Sequence, residues 1–206
     1  MFQDRDDAAV QLAQRLLVYQ DSNPLILAIP RGAVSMGRII AETLQGDLDV
    51  VLVRKLGAPG NPELAIGAID ETGWVYLIPE ADRIVGNPQY VDIEKSKQLD
   101  ILRARRKQYT PVRPPLNPEG RTVIVVDDGL ATGSTMIAAL HALRARHPEQ
   151  LICAVPVAPP GALSKVGQYA DQVVCLQSPI LFYAVGQFYQ EFRQVSDEKV
   201  VALLTQ

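Results

Sequence analysis

The chain is poor in cysteine: two in 206 residues, Cys153 and Cys175, each inside an apolar run. Such thiols read as small core residues in a reducing compartment rather than as a disulfide or metal pair. An apolar signal core is missing from the start, MFQDRDDAAV, which opens on acids, so no secretion signal is expected. No uninterrupted apolar stretch is long enough to span a bilayer. Excess positive charge is missing too: the net charge is −3, which argues against a general nucleic-acid coat and leaves only a local basic patch for such a role. There is no internal repeat. Two common phosphate loops are also absent, since no segment ends in Gly-Lys-Ser/Thr and none reads G-x-G-x-x-G. These absences leave a cytoplasmic, soluble protein without membrane partners as the expectation.

What is present is an ordinary globular balance, 48% hydrophobic and 21% charged, on a chain long enough for one full core. A single domain over residues 1–206 is expected. In DDAAVQLAQRLLVY the helical period places Val10, Ala13, Leu16 and Leu17 on one face. PLILAIP reads as a buried strand, RGAVSMGRIIAETLQG as a turn and helix with Met36, Ile39, Ile40 and Leu44 inward, and LDVVLVRK as a second strand. LGAPGNPELAIG is too rich in Gly and Pro for regular structure, and AIGAID with WVYLIP suggests a hairpin. VDIEKSKQLDILRARRKQY is a polar, basic helix with Leu99 and Leu102 as anchors. Its bland reading is a solvated face; the sharper one is a phosphate or nucleic-acid contact through Arg103, Arg105, Arg106, Lys107 and Arg113. After a proline-rich connector come the strand RTVIVV, the helix STMIAALHALRA, the strand QLICAVPVAP, a short helix, the strand DQVVCLQSP and an aromatic tail. A last helix follows, capped by Ser196. Strands alternating with helices predict an α/β fold: a doubly wound, mostly parallel sheet flanked by helices. A small hood from the mobile loop, its hairpin and the terminal segments would complete it.

The segment TVIVVDDGLATGST poses a question of electrostatics. A buried strand ends in two adjacent acids, Asp127 and Asp128, whose like charges repel unless something offsets them. In a doubly wound sheet, ligands bind at the carboxyl ends of strands. The next residues are small or hydroxylated and open a helix, whose free backbone N–H groups cup an anion. Carboxylates accept from vicinal hydroxyls while amides and hydroxyls hold a phosphate. A ribose 5-phosphate has both features. A receiver-type acidic pair binding magnesium fits poorly, because these acids lie past the midpoint of the chain.

VIVVDDGLATGST resembles the phosphoribosyl pyrophosphate (PRPP) motif of type I phosphoribosyltransferases, and the likeness extends from about Pro24 to the last strand. It implies that Asp127 and Asp128 hold the ribose hydroxyls and that Ala131, Thr132, Gly133, Ser134 and Thr135 cradle the 5-phosphate. IPRGAVSMG resembles the family's pyrophosphate loop, where one peptide bond is sometimes cis; it implies diphosphate contacts from Arg31, Gly32 and Ala33. Many members carry a second glycine where Ala33 stands. VRKLGAPGNPELAIGAIDETG is similar to the basic pair and mobile hood loop, closest in layout to the adenine enzymes. It implies that Arg54 binds pyrophosphate and Lys55 serves catalysis, and that subunits pair at this edge as a homodimer. The ordinary alternative for that segment is a flexible hairpin loop.

The implied reaction displaces pyrophosphate from C1 of PRPP with a nitrogen acceptor and inverts that centre, as in nucleotide salvage. The implied cofactor is Mg2+, bridging ribose hydroxyls and diphosphate oxygens, with no direct protein ligands. In 6-oxopurine enzymes an aspartate takes a proton from the base; Ala131 stands there and cannot. The adenine enzymes use a glutamate after the mobile loop, which implies Glu71 or Glu63 as the acid, each equally readable as a surface turn residue. Phe182 or Tyr183 stacks on a heterocycle or else packs into the core, so the acceptor stays unassigned. The competing function is a PRPP-sensing regulator that binds RNA or DNA through the basic helix.

Overall fold

The computed structural model describes residues 1–111 and 114–205, without the side chains of Glu63 and Pro88. Along the chain run α1 (Arg5–Leu16), β1 (Leu25–Ala28), α2 (Val34–Leu44) and β2 (Asp47–Val50). Three further strands follow, β3 (Val53–Ala58), β4 (Asn61–Asp70) and β5 (Val75–Leu77), then α3 (Ala81–Val85) and α4 (Pro88–Tyr109). The second half alternates β6 (Thr122–Val126), α5 (Ser134–Arg144), β7 (Gln150–Val157), α6 (Pro160–Val166) and β8 (Gln172–Gln177), and α7 (Asp197–Thr205) comes last.

Five strands form an all-parallel sheet in the order β2-β1-β6-β7-β8. The central strands are apolar throughout, because both faces are covered. Their alternation still sorts the side chains. Ile26, Ala28, Ile124, Val126, Ile152 and Ala154 enter one core with α1 and α2. Leu25, Leu27, Val123, Val125, Leu151 and Cys153 enter the other with α5 and α6. The doubly wound α/β expectation is thus what the molecule adopts. Both cysteines are free thiols, Cys153 buried and Cys175 half-buried.

The strand order turns back between β1 and β6: β2 lies outward of β1 on one side, and β6, β7 and β8 run away on the other. At such a switch point the loops leaving neighbouring strands diverge and open a crevice. The loops after β1 and β6 therefore face each other across a cleft.

Three local expectations are corrected. Buried residues of α1 are Ala8, Ala9, Leu12, Ala13 and Leu16, whereas Val10 and Leu17 are exposed. At 100° per residue, positions 9, 12, 13 and 16 share a stripe that 10 and 17 miss. LDVVLVRK is two strands, because the chain leaves the parallel sheet at Val51 and Leu52 and enters the hood at Val53. LGAPGNPELAIG is regular structure: β3 and β4 form an antiparallel hairpin closed at Pro59 and Gly60, where Gly60 takes φ +71°. Register shifts at Leu56–Gly57 and Gly57–Ala58 let the strands pass Pro62; a Cβ on Gly57 would meet the Pro62 backbone at 2.7 Å. β5 pairs with β4 as expected, and the three strands form a separate antiparallel sheet. This hood docks on α5, where Trp74 stacks flat on His141 with centroids 3.5 Å apart.

Candidate active site

A cavity of about 840 Å³ opens at the switch point. Its floor is the 127–133 turn. Asp127 N–H donates to Ala154 O and Leu130 N–H to Val157 O, which ties the turn to β7. Gly129 and Gly133 both have positive φ, +156° and +81°. A Cβ on Gly129 would come 2.6 Å from Val185, and one on Gly133 2.9 Å from Val166, so only glycine permits the turn to pack. Gly133 is the N-cap of α5, and no side chain caps that helix. Thr132 Oγ1 accepts weakly from the Ser134 N–H at 3.4 Å, and the next amides of the first turn are left to whatever occupies the cleft. Thr132 and Ser134 add hydroxyls 3.0 Å apart. All five expected phosphate-loop residues, Ala131 to Thr135, line the cavity.

Asp127 and Asp128 line it as well. Asp128 N–H donates to Asp127 Oδ1 at 2.9 Å. Burial, reinforced by the Asp128 charge, pushes the Asp127 carboxyl well above the usual aspartate range. Burial also pushes Asp128 up, and the Arg5 guanidinium beside it opposes that shift. Arg5 donates to Asp128 Oδ2 from Nε at 2.8 Å, with Nη2 at the same distance. The repulsion built into VVDD is therefore offset by an arginine 123 positions earlier in the chain.

Across the cleft, the turn after β1 begins with a cis peptide bond between Pro30 and Arg31. Gly32 faces the acids: a Cβ there would stand 2.3 Å from Asp128 Oδ2. Arg31 lines the cavity, and its Nη1 lies 3.5 Å from Asp197 at the start of α7. Ala33 is fully buried, its methyl in the α1/α2 core. Unlike Arg31 and Gly32 it is not among the residues lining the cavity, and its methyl intrudes on nothing there.

The hood separates the two expected cations. Successive residues of β3 point to opposite faces, so Lys55 lines the cavity while Arg54 turns toward α4 and donates to Gln98. Burial, then the Arg105 and Arg31 charges, lowers the Arg54 pKa. Glu71 is not brought into the cleft. It accepts two hydrogen bonds from Arg106 of α4, at 2.6 and 2.8 Å. The Glu63 side chain and Arg113 lie outside the described residues.

Of the aromatic pair, Phe182 packs on Phe188 with centroids 5.1 Å apart and joins the core, whereas Tyr183 lines the cavity and is 87% exposed. Leu64, Val185 and Phe192 complete an apolar rim beside it. Residues that sequence reasoning missed are Arg5, Tyr189 and Phe192. Tyr189 donates from its hydroxyl to Asp128 O at 2.6 Å, and Phe192 lies under the Arg5 guanidinium, 3.8 Å from its ring centroid. Their side chains converge only through the fold, so no local pattern announces them.

The basic helix does not present its charges together. Arg105 pairs with Asp197 and Arg106 with Glu71, and both are largely covered. Arg103 and Lys107 face solvent. Among the described residues no helix is long and apolar enough to cross a membrane.

The chain has relatives among known proteins. Two Mycobacterium tuberculosis proteins, from strains CDC 1551 and H37Rv and each described as "Putative phosphoribosyl transferase", are 42% identical over 205 residues. The match takes in 99% of this chain but 46% of each relative, so the chain spans about half the length of these curated proteins. The crystal structure of TT1426 from Thermus thermophilus is 44% identical, with a TM-score of 0.82, covering 100% of this chain and 98% of that one. Residues 1–193 match the family described as "Phosphoribosyl transferase domain". The chain belongs to the phosphoribosyl transferase domain family, a family of enzymes.

Proposed function

We propose that this chain transfers the 5-phosphoribosyl group of PRPP to a nucleobase-like nitrogen. The acceptor lone pair forms the C1–N bond on the face opposite the leaving group. The C1–O bond breaks, its electron pair departs with pyrophosphate, and C1 inverts. The acceptor then gives up its N–H proton. The observation that carries this reading is the cleft itself. Asp127 and Asp128 stand beside the uncapped start of α5, with Gly32 directly across from them. Hydroxyl acceptors, phosphate donors and a bare backbone loop gathered in one cleft suit a ribose bearing phosphates at both ends.

Arg31 and Lys55 add positive charge on the side where the leaving group gathers negative charge. Arg54 supports them from behind, in a field shared with Arg105 and Asp197. Magnesium would enter with the diphosphate of the substrate. When bound it would neutralise diphosphate oxygens, while the acids are left to the ribose hydroxyls. The apolar rim at Leu64, Tyr183 and Val185 is where the acceptor would lie. Pairing of Arg105 with Asp197 and of Arg106 with Glu71 leaves Arg103 and Lys107 as the solvent-facing members of the basic run for the regulator alternative. A homodimer paired at the hood edge and a place in cytoplasmic nucleotide salvage complete the proposal, supported by the family resemblance alone.

The test incubates purified protein with Mg2+ and PRPP against a panel of bases and other amines and follows pyrophosphate release. Release that depends on one acceptor, with a phosphoribosylated product of matching mass, supports transfer. PRPP binding without release for any acceptor would favour the sensor instead.

A further inference from the structure

The transfer described above gives no task to Arg5, yet the fold goes to some length to place it. Asp4 caps α1, accepting from the N–H groups of Asp6 and Asp7, and so sets Arg5 at the first helical position. The segment before it is strapped to the C-terminal segment. Phe2 N–H donates to Phe188 O, Gln190 N–H to Phe2 O, and Glu191 N–H to Gln3 O, all at 2.8–2.9 Å. The guanidinium is then held on three sides. Nε and Nη2 both reach Asp128 Oδ2, Nη1 donates to Arg193 O at 2.7 Å, and the Phe192 ring lies against its face. The Arg5 side chain is 12% exposed and that of Asp128 16%. Gly32 makes room for the pair, since a Cβ there would also approach Arg5 Nε at 3.1 Å.

We propose that Arg5 is a positioning residue for the ribose, acting through Asp128. It commits Oδ2 to the guanidinium and so anchors that oxygen, leaving Oδ1 to accept a ribose hydroxyl. It also keeps the adjacent acids compatible before any substrate arrives. A role as a mere strut is not what the contacts describe. The backbone bonds of Phe2, Gln190 and Glu191 already tie α1 to the C-terminal segment without it. A planar guanidinium held by Asp128, Arg193 O and the Phe192 ring stays in one place, which a lysine ammonium with its single nitrogen cannot reproduce.

This inference rests on the ribose reading of Asp127 and Asp128, and calorimetry separates the two. Wild-type protein with Mg2+ should bind PRPP; absence of binding would remove the ribose reading itself. Given wild-type binding, Arg5→Gln should weaken PRPP and ribose 5-phosphate by about 10- to 100-fold, the scale of one hydrogen bond to a charged group. The same titration with inorganic pyrophosphate and Mg2+ should give wild-type affinity. Arg5→Lys should show an intermediate loss. Wild-type affinity in a folded Arg5→Gln protein would overturn the assignment. Equal losses for PRPP and pyrophosphate would overturn it too, by making Arg5 a direct diphosphate ligand. If Arg5→Gln lowers Tm too far for titration, Arg5→Lys decides: intermediate loss supports the proposal and unchanged PRPP affinity contradicts it.

Discussion

The two sides of the cleft are built on different principles. The inner side is made by short turns between buried elements. β6 delivers the acids, two positive-φ glycines fold the turn, and α5 opens directly behind it. Its functional atoms are backbone amides and short side chains with little freedom. The outer side is a rim contributed by the hood and the C-terminal segment, where Leu64 is 45% and Tyr183 87% exposed. A handle common to every reaction of this kind can be rigid. A surface that selects one acceptor can change by substituting exposed residues, at little cost to the core.

The largest expected effect falls on the rigid side. Asp127→Asn combined with Asp128→Asn should weaken PRPP binding by about 100- to 10,000-fold, from two lost charge-assisted contacts, while the fold persists. Unchanged affinity by calorimetry would remove the acids from the site. On the exposed side, Tyr183→Ala should raise the acceptor KM by about 2- to 10-fold, the worth of one stacking contact, and leave PRPP affinity alone. A change in PRPP affinity instead would erase the division between the two sides.

Stability sharpens the same contrast. The folded Asp127 carboxyl is raised above its unfolded value, so the group subtracts from stability at neutral pH, where the unfolded chain releases the proton more readily. That cost disappears as pH falls through the folded pKa toward the unfolded one. Asp127→Asn should therefore raise the neutral-pH Tm of the free protein, by about 2–4 °C for each kcal/mol recovered. Asp128→Asn should not, because it strips the Arg5 guanidinium of its counter-charge. A fall in Tm for Asp127→Asn, read by scanning calorimetry, would mean that the acids are not strained. The smallest catalytic effect is expected at Glu71. Glu71→Gln should change turnover by less than about threefold and lower Tm instead, because Glu71 is committed to Arg106. A tenfold loss of kcat at unchanged Tm would restore it as the acid.

The division also explains what could be read from the sequence. RTVIVVDDGLATGST and PLILAIPRGA are local units whose strand, turn and helix signals agree, so both loops were legible at residue level. The break at Val51–Leu52 was not, because VVLV is equally apolar on either side of the point where the chain changes sheets. The hairpin through Gly57, Pro59, Gly60 and Pro62 was hidden by residues that normally mark loops. The positions of Glu71 and Arg54 depended on which face α4 covers, which no local pattern states. Arg5 reaches its partner across 123 positions, and its charge alone gave no reason to place it there.

The most direct test of the central claim is a crystal of the protein soaked with PRPP and Mg2+. Ribose hydroxyls within hydrogen-bonding distance of Asp127 and Asp128, with the 5-phosphate on the amides of residues 131–135, is the predicted result. Density for PRPP elsewhere on the molecule, or an ordered cleft whose carboxylates do not touch the sugar, would contradict it.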